Sequence, residues 1–203
     1  IYSNTFTATT YSNATLSVNT TSLSAYKANP YWKKFTKMVG YYDFEKNNIY
    51  YVIIDNQTVA VTYKDNGFNS YSGSISVPAT VSYNGVTYQV TTIGEQAFYK
   101  CPDLTSVNLP SSVTSVSQNA FSGCTSLSTI NLNYLKEIGA YAFDGCTKLS
   151  SISLNSIVSI GSYAFRGCSG IASVLIGSNA TTIANYAFNG CTNIKKLTWN
   201  AKN

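Results

Sequence analysis

A unit of 22 or 23 residues recurs five times in the second half of the chain, and no other feature restricts the possible folds as strongly. The copies read TTIGEQAFYKCPDLTSVNLP from Thr91, TSVSQNAFSGCTSLSTINLN from Thr114, KEIGAYAFDGCTKLSSISLN from Lys136, VSIGSYAFRGCSGIASVLIG from Val158 and TTIANYAFNGCTNIKKLTWN from Thr181. Their phenylalanines fall at Phe98, Phe121, Phe143, Phe165 and Phe188, and their cysteines at Cys101, Cys124, Cys146, Cys168 and Cys191. Every cysteine of the chain therefore lies in one column. A period of this length is the mark of a solenoid: one unit cannot bury its own apolar face, and stacking supplies the core.

Each copy reads as one coil. A short piece ends in Ile93, Val116, Ile138, Ile160 or Ile183, and a bend follows, with Gly in three copies and Ser117 or Ala184 in the others. One helical turn then carries an Ala-Phe pair inward, and the Cys three residues after the Phe shares its face. A segment such as Leu149, Ile152, Leu154 completes the coil with the period of two of a strand. Stacked, these segments are expected to pair in parallel about 4.8 Å apart, with Phe and Cys as the core ladder.

The pattern IGxxAFxxCxxLxxIxLP, complete from Ile93 to Pro110 with Val107 in the Ile slot, resembles the BspA-like leucine-rich repeats of surface proteins from Bacteroidetes. The likeness covers about 110 residues in five copies. It implies a mixed, β-rich solenoid: a right-handed leucine-rich repeat array of five coils with short helical turns. It also implies a secreted or cell-surface location and attachment to proteins, either host extracellular-matrix components or other bacterial surfaces.

Upstream of the array, residues 41–90 read as a β-hairpin cap. IYYVIID (49–55) and TVAVTY (58–63) flank Asn56-Gln57, VSY and VTYQV flank Asn84-Gly85, and SISVP (74–78) forms a further strand. Asp43 and Glu45 beside Tyr41 and Tyr42 read as a solvated linker. Residues 1–40 resemble the segment that ends such an array, a strand plus a short helix bearing Ala25, Tyr26, Lys27, Trp32, Lys33 and Phe35, with Ser22 or Ser24 at the helix start. That order predicts an internal piece of a longer protein, preceded by another repeat block and exposing Leu197 and Trp199 on its last coil.

Composition narrows the chemistry. There is no histidine, so imidazole bases, His metal ligands and Ser-His or Cys-His pairs are excluded. The eight carboxylates form no close pair of the kind a glycosidase needs, and a slot that varies from Tyr99 through Ser122, Asp144 and Arg166 to Asn189 reads as surface. No catalytic residue, cofactor or metal site is expected. The cysteines form a line rather than a cluster and read as buried reduced thiols. A net charge of +5 spread over 13 basic and 8 acidic residues gives no nucleic-acid footprint, and no apolar run reaches the ~18 residues of a membrane span.

What remains is surface. Between the inward strand residues lie Ser128, Thr129 and Asn131, then Ser151 and Ser153, then Ser173 and Leu175, then Lys195, Lys196 and Thr198. This hydroxyl-rich face, basic toward its end, is the candidate for binding a protein or, as a carbohydrate-associated module, a glycan; an ordinary solvent-facing β-surface in a structural spacer of a larger surface protein is the alternative. Tyr141, Tyr163 and Tyr186 form a possible aromatic column, either a platform or a structural stack.

Overall fold

A computed structural model describes residues 15–17, 28–30, 32–34, 37–39, 42–64 and 68–200. Among these residues strands and turns dominate. Strand β1 (Thr15–Ser17) pairs in parallel with β2 (Lys37–Val39), Leu16 opposite Met38. Between them Trp32–Lys34 forms one 3-10 turn, with the Trp32 N–H donating to Asn29 Oδ1 at 3.4 Å. Ser22, Ser24, Ala25, Tyr26, Lys27 and Phe35, read as parts of an array-ending helix, lie outside the described residues.

A meander follows. β3 (Phe44–Lys46), β4 (Ile49–Ile53) and β5 (Thr58–Thr62) pair antiparallel in sequence. The Asp55 carboxylate accepts the N–H groups of Gln57 and Thr58 at 2.8 and 2.7 Å, which closes the second turn. Asp43 is not in a solvated linker. Its Oδ2 accepts the Ile53 N–H at 2.6 Å and its own N–H donates to the Tyr51 carbonyl, so it pins the start of the meander.

β6 (Gly73–Ser76) lies apart from this sheet, while β7 (Thr80–Tyr83) and β8 (Val86–Ile93) form the Asn-Gly hairpin. Asn84 and Gly85 take φ of 49° and 78°, as a type I′ turn requires. β8 runs past residue 90, pairing with β7 at its start and in parallel with β5 at its end. The meander and the first coil are thus joined through one shared strand.

The coils add β9 (Leu104–Asn108), β10 (Ser115–Val116), β11 (Thr129–Ile130), β12 (Glu137–Ile138), β13 (Ser151–Leu154), β14 (Ser159–Ile160), β15 (Ser173–Ile176), β16 (Thr182–Ile183) and β17 (Lys196–Trp199). The even-numbered strands extend the first sheet, in the order β16-β14-β12-β10-β8-β5-β4-β3. The odd-numbered strands form a second face in two pieces, β11-β9-β6 and β13-β15-β17. β6 is therefore an extra rung of that face, parallel to β9, contributed by the segment before the first repeat.

A third ladder joins the coils at the Ala-Phe turns. The N–H groups of Phe98, Phe121, Phe143 and Phe165 donate to the carbonyls of Ala120, Ala142, Ala164 and Ala187, one coil further on, each at 2.7 Å. Within a coil the Cys N–H closes an i to i+3 turn on the Phe carbonyl, as Cys124 does on Phe121 at 3.1 Å, which keeps Phe and Cys on one face. These are single turns rather than α-helix. The residue before each Ala-Phe is left-handed, with φ of 57° at Gln96, 55° at Asn119, 57° at Tyr141, 58° at Tyr163 and 62° at Tyr186, a conformation that cannot propagate a right-handed helix.

The core lies between the three ladders. Adjacent Phe rings from Phe98 to Phe188 stack at 4.8, 5.0, 5.1 and 5.2 Å, with interplanar angles of 1 to 6°. The first four are completely buried and Phe188 is half-buried. Tyr71 packs on the free side of Phe98 at 4.6 Å and closes the N-terminal end of the stack.

Candidate binding face

Leu104, Val107, Leu127, Ile152, Leu154, Val174 and Ile176 are buried in the core, with the period of two of a strand in β13 and β15, and the residues between them stand outside. On the odd-numbered strands those outer residues stand one above another. Register aligns Ser106 with Thr129, and Ser151 with Ser173 and Lys196. The Ser173 hydroxyl donates to Ser151 Oγ at 3.1 Å, and the Ser106 hydroxyl to Ser74 Oγ at 2.7 Å. β6 thus lengthens the hydroxyl column by Ser74, which the repeat spacing alone does not reveal.

A groove of about 390 Å³ lies on this face, lined among others by Asn131, Ser151, Ser153, Ser173, Lys196 and Thr198. Five of the eight residues read from the sequence as a binding face are brought together there. Ser128, Thr129 and Lys195 are exposed but do not line it. Ser128 instead bonds the Thr105 carbonyl at 3.2 Å. The lining also contains the apolar Ile130, Leu132 and Ile152, and Asn133, which the strand alternation does not single out. Lys196 is the one charged side chain of the lining.

The tyrosine column forms as a stack. Tyr141 and Tyr163 lie 5.0 Å apart at 10°, and Tyr163 and Tyr186 5.1 Å apart at 12°. Tyr163 is covered on both faces by its neighbours, whereas Tyr186 is 61% exposed. Arg166 lies over the first pair, its Cζ 5.1 Å from the Tyr141 ring and 5.6 Å from that of Tyr163. It also grips Asp144 through two bonds of 2.8 and 2.6 Å. That bond and the carboxylate's charge raise the guanidinium pKa further. The variable slot is therefore not uniformly solvent: Asp144 and Arg166 pair across adjacent coils, and Ser122 is buried. The signal was an acid and a base in one column, one period apart.

All five thiols are unpaired. Each of Cys124, Cys146, Cys168 and Cys191 donates its S–H to the Phe carbonyl of the preceding coil, at 3.0 to 3.2 Å. Burial pushes the Cys124 pKa up to about 12, and interaction with the neighbouring thiol, with burial, raises those of Cys168 and Cys191. Such thiols are poor nucleophiles at neutral pH. Among the described residues no three His, Cys, Asp or Glu side chains converge as metal ligands, and no helix is long and apolar enough to cross a membrane.

The model of the BspA type leucine rich repeat region matches residues 91–203 in six copies, one more than the Phe and Cys columns count. Among solved structures, the leucine-rich repeat protein of T. pallidum is 26% identical with a TM-score of 0.65, over 77% of this chain and 81% of that one. A leucine rich cell surface protein of Faecalibacterium prausnitzii is 19% identical with a TM-score of 0.52, over 78% and 55% of the two chains. The pneumococcal vaccine antigen PcpA is 21% identical with a TM-score of 0.57, over 76% and 45%. No curated protein sequence is significantly similar to the chain.

Proposed function

The chain belongs to the BspA-type leucine-rich repeat family, and on that footing we propose that it is a non-catalytic binding module whose odd-strand face holds a partner protein. The observation that carries this reading is the groove of about 390 Å³, where hydroxyls and amides from successive coils surround an apolar floor. Such a lining offers many hydrogen bonds and few desolvated charges, so affinity grows with contact area and with the number of modules engaged. The resemblance that runs through the repeats suggests an extracellular or cell-surface setting, with host matrix proteins or other cells as targets. The same fold in a protein described as a cell-surface one supports that placement.

Capture of immobilised matrix proteins tests it. Ser151→Arg with Ser153→Arg places two bulky charges in the groove and is expected to abolish capture while circular dichroism stays unchanged. Capture that survives both substitutions removes the face from the binding role.

A glycan is the second reading, and Tyr186 favours it: its outer ring face is uncovered and could stack on a sugar. Retention on a glycan array that disappears with Tyr186→Ala, and not with the Ser151 and Ser153 changes, selects this reading over the first.

A further inference from the structure

Charge is not spread evenly along the chain. All eight acidic residues lie at or before Asp144, and up to that point they are matched by eight basic ones. Residues 145–203 hold Lys148, Arg166, Lys195, Lys196 and Lys202 with no acid, so the whole net charge of +5 belongs to them. Arg166 is engaged by Asp144, whereas the exposed Lys195 and Lys196 form no ion pair among the described residues. Lys196 lines the groove of the odd-strand face at its fifth-coil end, and Lys195 precedes it. Register gives that groove two walls. Ser151, Ser173 and Lys196 form one column and Ser153, Leu175 and Thr198 the other, about 7 Å apart, with Ile152 and Val174 between them. A furrow with such walls crosses the strands rather than following them. At its second-coil end stand Asn131 and Asn133, whose Oδ1 atoms already accept the Asn133 N–H at 3.1 Å and the Asn155 amide at 3.0 Å. What they chiefly offer a ligand is amide N–H groups.

We infer that the furrow holds an acidic segment of a partner protein, laid across the strands with its carboxylates at Lys195 and Lys196. The inference rests on the reading of this face as a protein-binding one and names the charge and course of what it binds. Donors stand at both ends, amide N–H groups at one and two ammonium groups at the other, so the ligand is rich in acceptors. An extended polypeptide supplies main-chain carbonyls along its length, and Asp or Glu supplies the counter-charge. Three strand spacings separate the second coil from the fifth, about 14 Å, which four or five extended residues span. A small β-branched side chain in the middle suits the apolar Ile152, Val174 and Leu175. The acid-free end of the chain also attracts such a segment from a distance and repels a basic one.

The test is a titration of the 15N-labelled protein with the capped pentapeptide Thr-Val-Thr-Glu-Glu, followed by amide shifts. Shifts centred on residues 131–133, 151–153, 173–175 and 195–198 are expected. The Thr-Val-Thr-Gln-Gln peptide keeps the shape without the charge and should bind about fivefold more weakly, the loss of roughly 1 kcal/mol. Lys195→Glu with Lys196→Glu should invert the preference, so that Thr-Val-Thr-Lys-Lys becomes the better ligand while circular dichroism stays unchanged. No shift at millimolar peptide overturns the proposal, as does equal binding of the Glu and Gln peptides. Capped Glu-Glu binding as tightly as the pentapeptide also overturns it, because the furrow then adds nothing to the charge. A sulfated oligosaccharide that shifts these amides when the peptide does not replaces the acidic segment with a polyanionic glycan. Matrix-protein capture that is lost with the Ser151 and Ser153 changes but survives reversal of both lysines keeps the face as a binding surface and rejects the acidic segment. Capture that survives both sets of changes rejects the broader reading too.

Discussion

The thiol of Cys146 donates to the carbonyl of Phe121, one coil away, at 3.2 Å. The same carbonyl accepts the N–H of Cys124 within its own coil, so the bond is a second tie on an acceptor already in use. Cys is small enough to sit under the Phe stack and still brings a weak donor. Cys146→Ala removes the sulfur and the tie without orphaning the carbonyl, and is expected to cost about 1 to 2 kcal/mol, read as a lower urea midpoint. A midpoint equal to that of wild type means the column is interchangeable with any small residue.

The Phe ladder should show its ends in the same measurement. Phe143 is stacked on both sides and fully buried, so Phe143→Ala is expected to cost about 3 to 5 kcal/mol. Phe188 is stacked on one side and half-buried, and Phe188→Ala should cost clearly less. Equal losses would place the uncovered face of Phe188 against something that the described residues do not include.

High pH should unfold the protein in a predictable window. The Cys124 thiol titrates at 9.0 without its surroundings and is held up to about 12, and Tyr51 moves from 10.0 to about 12, both through burial. The folded chain thus keeps protons that the unfolded chain releases. Stability is fully present below about pH 9 and falls as pH rises toward 12, because the unfolded state is the better acid there. Thermal melts across pH 8 to about 12 check this, and a midpoint flat over that range contradicts the buried placement of these groups.

Spacing made the core legible, because a column of Phe98, Phe121, Phe143, Phe165 and Phe188 at one period has few uses other than a stack. The outer half followed from the strand alternation, which is why Ser151, Ser173 and Lys196 were found in register. Three things were not legible. β6 carries no Phe or Cys, so its membership of the odd-strand face appears only in its pairing with β9. Tyr141, Tyr163 and Tyr186 are left-handed although Tyr rarely adopts that conformation, and composition signals a positive φ only through Gly or Asn. The odd-strand pairing breaks between INLN and ISLN, two segments that read alike and carry no residue that marks the break.

Two glycines separate conformational strain from collision. Gly145 has φ of 73° with nothing within 4 Å of an added Cβ, so Gly145→Ala carries backbone strain alone, about 1 to 2 kcal/mol. At Gly177 an added Cβ meets the Asn155 carbonyl oxygen of the coil below, and backbone must move. Gly177→Ala is expected to lose more, and to raise hydrogen exchange along the β13–β15 pairing, which Gly145→Ala should leave untouched. Comparable exchange in the two variants would show that the coils yield at that contact without opening the ladder.

At Tyr163 backbone strain and ring stacking meet. Its φ of 58° disfavours any residue with a Cβ, and its ring is stacked on Tyr141 and Tyr186 with Arg166 alongside. Tyr163→Ala keeps the backbone cost and loses the stack, whereas Tyr163→Asn loses the stack but suits the left-handed backbone. Asn is therefore expected to retain more stability than Ala despite being the more polar replacement. Both should weaken the hold on Arg166, so the pairing with Asp144 becomes easier to screen and the melting temperature more salt-sensitive. If Ala is the milder change, the stack rather than the φ dictates this position, and the left-handed turn forms without help from the side chain. If neither change alters salt sensitivity, Arg166 is held by Asp144 alone, and the tyrosine column contributes packing but no hold on the cation above it.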